Sequence, residues 1–268
     1  MMKYFVKVAV GTWLVMLLAT PYSLANGIEE RSMVANGQGI SSPSFWGGIS
    51  GQNPAGLLNN LDFKLQGTAA SFDDSTSNLR ESGGFFLGNG VVAAGAEYSN
   101  YNSGPYARGY YQINWGLGTR VEATRTSLAV SGHQVSVGGG VSSYDLGMIM
   151  ELSSQTRFGA MITDFTRGLR VIGGGFTYIS DPMVDFVVDA GYHLVAKYGV
   201  IKPGISFHTY SIQATASYGF RFTGIVDSVI VNTKFTAGIG LKLAEKIFLE
   251  YEYRELPEHR LGLTLRFN

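Results

Sequence analysis

The chain has 268 residues, with 20 Lys and Arg against 20 Asp and Glu, and this balance excludes the strongly basic surface that a nucleic-acid partner requires. It contains no cysteine, which rules out a disulfide framework and a lipidated cysteine. The 36 glycines, 15 tyrosines and 16 phenylalanines beside only 7 prolines suit many strands with small inward positions and girdles of aromatic residues.

Residues 1–25 read as a secretory signal peptide. Lys3 and Lys7 give a positive start, Val8 to Ala19 forms an apolar core, and Ser23 and Ala25 are small residues placed for cleavage. The core is too short to span a bilayer, and no later apolar run reaches the roughly 18 residues that a membrane helix needs. A membrane crossing by the mature chain is therefore expected from strands.

Residues 26–60 do not alternate. Ile28 to Val34 suits a short helix, and Gly37 to Gly51 is Gly/Ser-rich, interrupted by Pro43, Phe45 and Trp46. The stretch ends in Asn53-Pro54-Ala55-Gly56-Leu57. Proline disfavours helix at the residue before it, and the Asn side chain is suited to cap the residues after it. Taken alone, this stretch also fits an ordinary loop leading into a first strand.

From Leu61 the alternation hardly stops. Strands are expected at about 61–72, 83–100 with a break at Gly88 to Gly90 as an option, 107–117, 120–130, 134–143, 145–152, 157–165, 169–179, 183–195, 198–208, 211–221, 229–241, 246–254 and 258–267, about 14 in all. Each is near the ten residues that a tilted membrane strand requires. In Met183 to His193, Val184, Phe186, Val188, Ala190 and Tyr192 share one face, opposite Asp185 and Asp189. In Lys246 to Arg254, Ile247, Leu249, Tyr251 and Tyr253 oppose Glu250, Glu252 and Arg254. A basic residue facing lipid near the midplane costs roughly 2–4 kcal/mol, so these charges, with Arg260 and Arg266 of the last strand, are assigned to the lumen. They read first as an internal ladder of opposite charges and second as a solute path. Arg125 shares the parity of Val121 and Ala123, which calls for a bulge, a strand end or another register there. Residues 221–232 read as the longest ambiguous connection.

The last strand is the clearest. Leu261, Leu263, Leu265 and Phe267 alternate with Gly262, Thr264 and Arg266. A strand with one large apolar face must pair on both edges in lipid, because no backbone donor or acceptor can be left open there. The all-strand solution is a closed barrel, so the expected fold is an all-β, transmembrane, antiparallel β-barrel.

No motif for catalysis emerges. His133, His193, His208 and His259 lack metal-ligand spacing. Ser211 lies near His208, and Asp185 and Asp189 near His193, but spacing along a strand does not supply a nucleophile with an oriented base. Gly138-Gly139-Gly140 and Gly173-Gly174-Gly175 have no strand–loop–helix context for a phosphate. The expectation is a protein that is not an enzyme and carries no cofactor or metal.

The order of features resembles the FadL-type outer-membrane transporter superfamily, including smaller members similar to PorV-like barrels. The resemblance rests on Asn53-Pro54-Ala55-Gly56-Leu57, on Leu146-Gly147 through Arg157-Phe158-Gly159 to Asp164-Phe165, on Gly173 to Tyr178 leading to Asp189, and on Phe235 to Arg266. It implies a bacterial outer-membrane barrel of 14 strands, with residues 61–268 as the barrel and 26–60 as a hatch in its lumen. It also implies a hatch and substrate path at Asn53, Pro54, Ala55 and Gly56 with Phe45 and Trp46. Members capture hydrophobic molecules outside, pass them by the hatch and release them sideways at a kinked strand. This chain is much shorter than the fatty-acid members, so their long external loops are expected to be reduced or missing. The implied function is a hatch-gated passive channel for small hydrophobic or amphipathic compounds such as fatty acids. The alternative is a PorV-like structural or export-associated barrel that binds a protein partner. Expected partners are outer-membrane lipid, the barrel-assembly machinery and a small hydrophobic solute.

Overall fold

The computed structural model describes residues 40, 53–59, 61–72, 75–101, 110–135, 141–163, 165, 171–181, 183–194, 197–223, 229–254 and 258–267. The signal peptide and Phe45 and Trp46 lie outside them.

Fourteen strands succeed one another in chain order: β1 Leu61–Phe72, β2 Ser75–Asn89, β3 Val92–Tyr101, β4 Tyr110–Val121, β5 Thr126–Val135, β6 Val141–Glu151 and β7 Thr156–Thr163. They continue with β8 Val171–Asp181, β9 Val184–His193, β10 Tyr198–His208, β11 Ile212–Thr223, β12 Val229–Ala244, β13 Ile247–Arg254 and β14 Glu258–Phe267. Every strand pairs antiparallel with its sequence neighbours, and β14 returns to β1, from Phe63 opposite Phe267 to Phe72 opposite Glu258. The sheet is a closed barrel with no free edge, as a wall of strands in lipid must be. The Phe63 and Phe267 rings lie 5.8 Å apart across the closure.

The side chains sort by parity. On β9, Phe186 and Val188 are 48% and 49% exposed outside, whereas Asp185 and Asp189 on the other face are 7% and 2% exposed. On β14, Leu261, Leu263 and Phe267 face out and Thr264 is buried inside. This inverts a soluble protein: the apolar side chains lie outside, where lipid solvates them, and the polar ones line the interior.

Six connections, from Asn89 to Val92, Val121 to Thr126, Glu151 to Thr156, Asp181 to Val184, His208 to Ile212 and Ala244 to Ile247, have two to four residues each, whereas those at the opposite end range from two to eight, the longest between Tyr101 and Tyr110. These six lie at the end of the barrel that also holds Leu61 and Phe267, and uniformly short turns are the pattern of the periplasmic end in outer-membrane barrels.

Several strand bounds differ from the sequence expectation. Residues 83–100 are two strands, β2 and β3, split at Gly90, whose φ is 82°. The Asn89 Oδ1 accepts from the N–H groups of Val91 and Val92 at 3.0 and 2.8 Å, which closes the hairpin within two residues. In contrast, 107–152 holds three strands where alternation suggested four, because the hairpin turn falls at Glu122 to Arg125. Arg125 has φ 49°, so its odd parity is that of a strand end. Much of 221–232 is wall, since β11 runs to Thr223 and β12 starts at Val229.

Candidate functional site in the lumen

Inside the barrel a 3-10 helix, Pro54–Asn59, lies against β2 to β6. Asn53 starts it. Its Oδ1 accepts from the N–H of Ala55 at 3.1 Å and its carbonyl accepts from Gly56 N at 3.0 Å, so the expected cap forms. Its amide nitrogen then faces three carbonyls: Ile40 at 2.8 Å, Met148 at 2.9 Å and Ala160 at 3.1 Å. Met148 and Ala160 are directly opposite on β6 and β7. One buried side chain thus joins the inner segment to itself and to two strands of the wall.

Ile40 completes the arrangement. Its N–H donates to Asp189 Oδ1 of β9 at 2.9 Å, and its side chain is 1% exposed, beside Gly173 and Met161. The inner segment is therefore held from two sides, by β6 and β7 through Asn53 and by β9 through Asp189. Lys202 of β10, buried, stands opposite Asp189 in the register, so the carboxylate has a basic neighbour in the wall.

The wall beneath the helix is shaped to receive it. In register across β2 to β6 run Gly88, Ala93, Gly118, Ala129 and Gly147, all small. A Cβ on Gly118 would lie 3.2 Å from Leu58 Cγ, and one on Gly147 would strike Asn53 Oδ1 and come within 2.7 Å of Pro54 Cδ. The shelf of small residues is therefore occupied by the helix. Leu57 and Leu58 pack with Phe86 and Ala93, and Ala55 packs with Ala129 and Ile149. Burying each leucine is worth roughly 1.5–3 kcal/mol, against roughly 0.5–1.5 kcal/mol net for a hydrogen bond. The leucines thus supply most of the attraction, and Asn53 fixes the position.

A polar group lies farther from the short-turn end than this shelf. Glu97, Asn114, His133 and Ser143 stand side by side across β3 to β6, with Ser131 and Asp145 in the next row. His133 Nε2 meets Asp145 Oδ2 at 2.6 Å and Ser131 Oγ at 3.2 Å, and Nδ1 meets Asn114 Oδ1 at 2.8 Å. A hydrolytic serine needs its base on one ring nitrogen and the orienting acid on the other. Here Ser131 and Asp145 share one nitrogen, so this is a structural network rather than a nucleophile with its base. The network was hidden in the sequence because the strands expected at 120–130 and 134–143 left His133 between them.

At the short-turn end, Arg120 and Glu151 pair through both guanidinium ends, at 3.3 and 3.2 Å, bridging β4 and β6 across β5. Glu151 stands opposite Arg157 of β7, and Asp185 Oδ2 lies 4.0 Å from His208 Nδ1. Ser211 occupies the β10–β11 turn, where its N–H donates to Thr209 Oγ1 and its carbonyl accepts from Lys242 N.

Of the residues singled out from sequence, Asn53, Pro54, Ala55 and Gly56 are buried together inside the barrel, and Asp189 joins them through Ile40. Glu252 stands opposite Arg260 and Arg254 opposite Glu258, while Glu250 faces Gly262 and Arg266 faces Lys64.

No family model matches this chain, and no curated protein matches it. Among solved structures it is similar to the Pseudomonas putida toluene transporter TodX, at 10% identity and TM-score 0.61 over 92% of this chain and 98% of that one. It is also similar to the Ralstonia pickettii toluene transporter TbuX, at 10% identity and TM-score 0.59 over 81% of this chain and 92% of that one. The Acinetobacter baumannii outer membrane protein Omp33 aligns at 10% identity and TM-score 0.51 over 77% of this chain and 98% of that one. At such identities the likeness is one of fold, and the fold is that of an outer-membrane β-barrel.

Proposed function

We propose that the protein is a passive outer-membrane channel for small hydrophobic or amphipathic compounds, with residues 26–60 as its hatch. The observation that carries this reading is the seating of the inner segment: an apolar contact of Leu57 and Leu58 with Phe86 and Ala93, positioned by the single amide of Asn53. The small residues of the shelf let the segment lie close against the wall, and the few directional bonds of Asn53 are ones that a segment leaving and returning can re-form in one place. The names of the similar structures, two of them toluene transporters, support the same solute class. The exterior is solvated by outer-membrane lipid, and the alternating closing strand, with Phe267 followed by Asn268, is the part that barrel-assembly machinery would engage.

The test is flux across a planar bilayer with a lipopolysaccharide outer leaflet, since a plain phospholipid bilayer already passes apolar solutes. Deletion of residues 26–56 is expected to raise flux of a short-chain alcohol and to admit small polar solutes. Unchanged flux for every solute after the deletion contradicts a hatch.

A further inference from the structure

We infer that the ring of six short turns is sunk into the phospholipid of the adjoining leaflet, at the boundary of heads and tails, instead of standing in water beneath it. The lipid leaflet is thus the partner of this end of the barrel. The inference is independent of what passes through the lumen.

Turns in water favour Gly, Asn, Asp and Ser, which suit a reversal of the chain. Here each of the six turns also has a large, exposed apolar residue. Val91, Leu152, Met183 and Tyr210 stand within their turns, and Val121 and Leu243 lie at the ends of the strands that enter theirs. Leu152, Leu243 and Tyr210 are 57%, 59% and 78% exposed, more than most side chains on the lipid-facing wall. Leu152 and Leu243 continue the outward rows that hold Leu146 on β6 and Ile239 on β12, so the apolar outer surface runs on to the turns. The six turns succeed one another around the whole circumference. A protein partner covers one arc of such a rim, whereas a leaflet covers all of it.

The height of the apolar band agrees. On β5 and β14 the first polar side chains of the outward rows, Gln134 and His259, stand eight residues from Thr126 and Phe267. At about 3.3 Å per residue and a tilt of about 40°, that is about 20 Å, short of the roughly 25 Å band of outer-membrane barrels. Sinking the turns completes the band. Tyr210 fits the same depth, because the ammonium of Lys242 lies 3.8 Å from the centre of its ring. A tyrosine with a cation over its face suits the boundary where tails give way to phosphates. Ala93 and Gly118, against which the inner helix packs, stand within three residues of these turns, so the helix lies at the depth of that leaflet.

The chain has no cysteine, so Val91→Cys, Leu152→Cys, Tyr210→Cys and Leu243→Cys can each carry one small fluorophore. The folded barrel is placed in phosphatidylcholine nanodiscs, which leave both membrane faces open to solution. Emission is quenched by iodide from the water or by a phosphatidylcholine with a spin label near the head of its acyl chain. All four positions are expected to lose most of their emission to the lipid-borne label and almost none to iodide. Quenching by iodide at all four, with none by lipid, overturns the inference and makes the turns a water-facing surface. Lipid quenching along one arc alone overturns the ring. The four side chains are exposed, so the wall does not depend on them for its packing, and heat-modifiable migration verifies the folded barrel in each variant.

Discussion

Asn53 works as a donor, and that property makes it testable one atom at a time. Its amide faces the carbonyls of Ile40, Met148 and Ala160, all acceptors. Asn53→Ala should loosen the seating of the inner segment by roughly 1–3 kcal/mol, the cost of leaving buried carbonyls without their donor. Asn53→Asp should do more damage than Asn53→Ala despite its closer shape, because it sets a carboxylate against acceptors. Protease cleavage of the inner segment in the folded barrel reads both, and equal cleavage in native protein and both variants would contradict the role. Gly147→Ala tests the seat from the wall side, since the new methyl would strike Asn53 and Pro54. Overpacking of this kind costs roughly 1–3 kcal/mol. Gly174→Ala is the control, because a Cβ there meets only Gly159 O at 3.7 Å. The Asn-Pro-Ala-Gly turn was legible in the sequence because proline and a capping asparagine act locally. Its bonds to β6 and β7 were not, because those partners are backbone carbonyls, which carry no residue signature. Nor was Lys202 opposite Asp189, a pairing that exists only once β9 and β10 are in register.

The strands were largely legible because lipid outside and polar lumen inside impose a period of two. The failures lie where other rules take over. The β2–β3 turn was offered only as an option at Gly88 to Gly90, because apolar residues on both sides of Gly88-Asn89-Gly90 let one strand be drawn across it. The first half of β2, Ser75 to Ser82, is polar and was not read as strand, although it pairs with β1. The β4–β5 turn was hidden by Arg125, whose left-handed backbone makes the reversal. One merged pair and one excess strand cancelled, so the total of 14 came out right for partly wrong reasons. The β2–β3 turn yields its own prediction. Gly90→Val should destabilise the hairpin by roughly 1–3 kcal/mol, since a β-branched residue strains at φ 82°. Unfolding of the barrel in urea measures it, and an unchanged midpoint would contradict the turn geometry.

At the scale of the molecule the outside and inside obey opposite rules. Leu263, 44% exposed, and Thr264, 2% exposed, are neighbours on β14 that face lipid and lumen. Leu263→Arg should cost roughly 2–4 kcal/mol if it lies near the midplane, whereas Leu263→Phe should be nearly neutral. Heat-modifiable migration of the folded barrel on a gel reports on both, and tolerance of the arginine would place that face away from lipid. Closure also makes β14 indispensable, since without it β1 would present an open edge to hydrocarbon.

Gating requires that the inner segment move off its shelf for solute to pass. The chain has no cysteine, so a pair can be introduced cleanly at Leu58→Cys and Gly118→Cys, where a Cβ on residue 118 would lie 3.2 Å from Leu58 Cγ. The measurement is decanol flux through the oxidised and then the reduced protein in the lipopolysaccharide bilayer. A moving hatch predicts that the disulfide stops flux and that reduction restores it in the same bilayer. Equal flux in the two states, with the disulfide verified by mass, would mean that the segment is a fixed plug and that solute takes no path it controls.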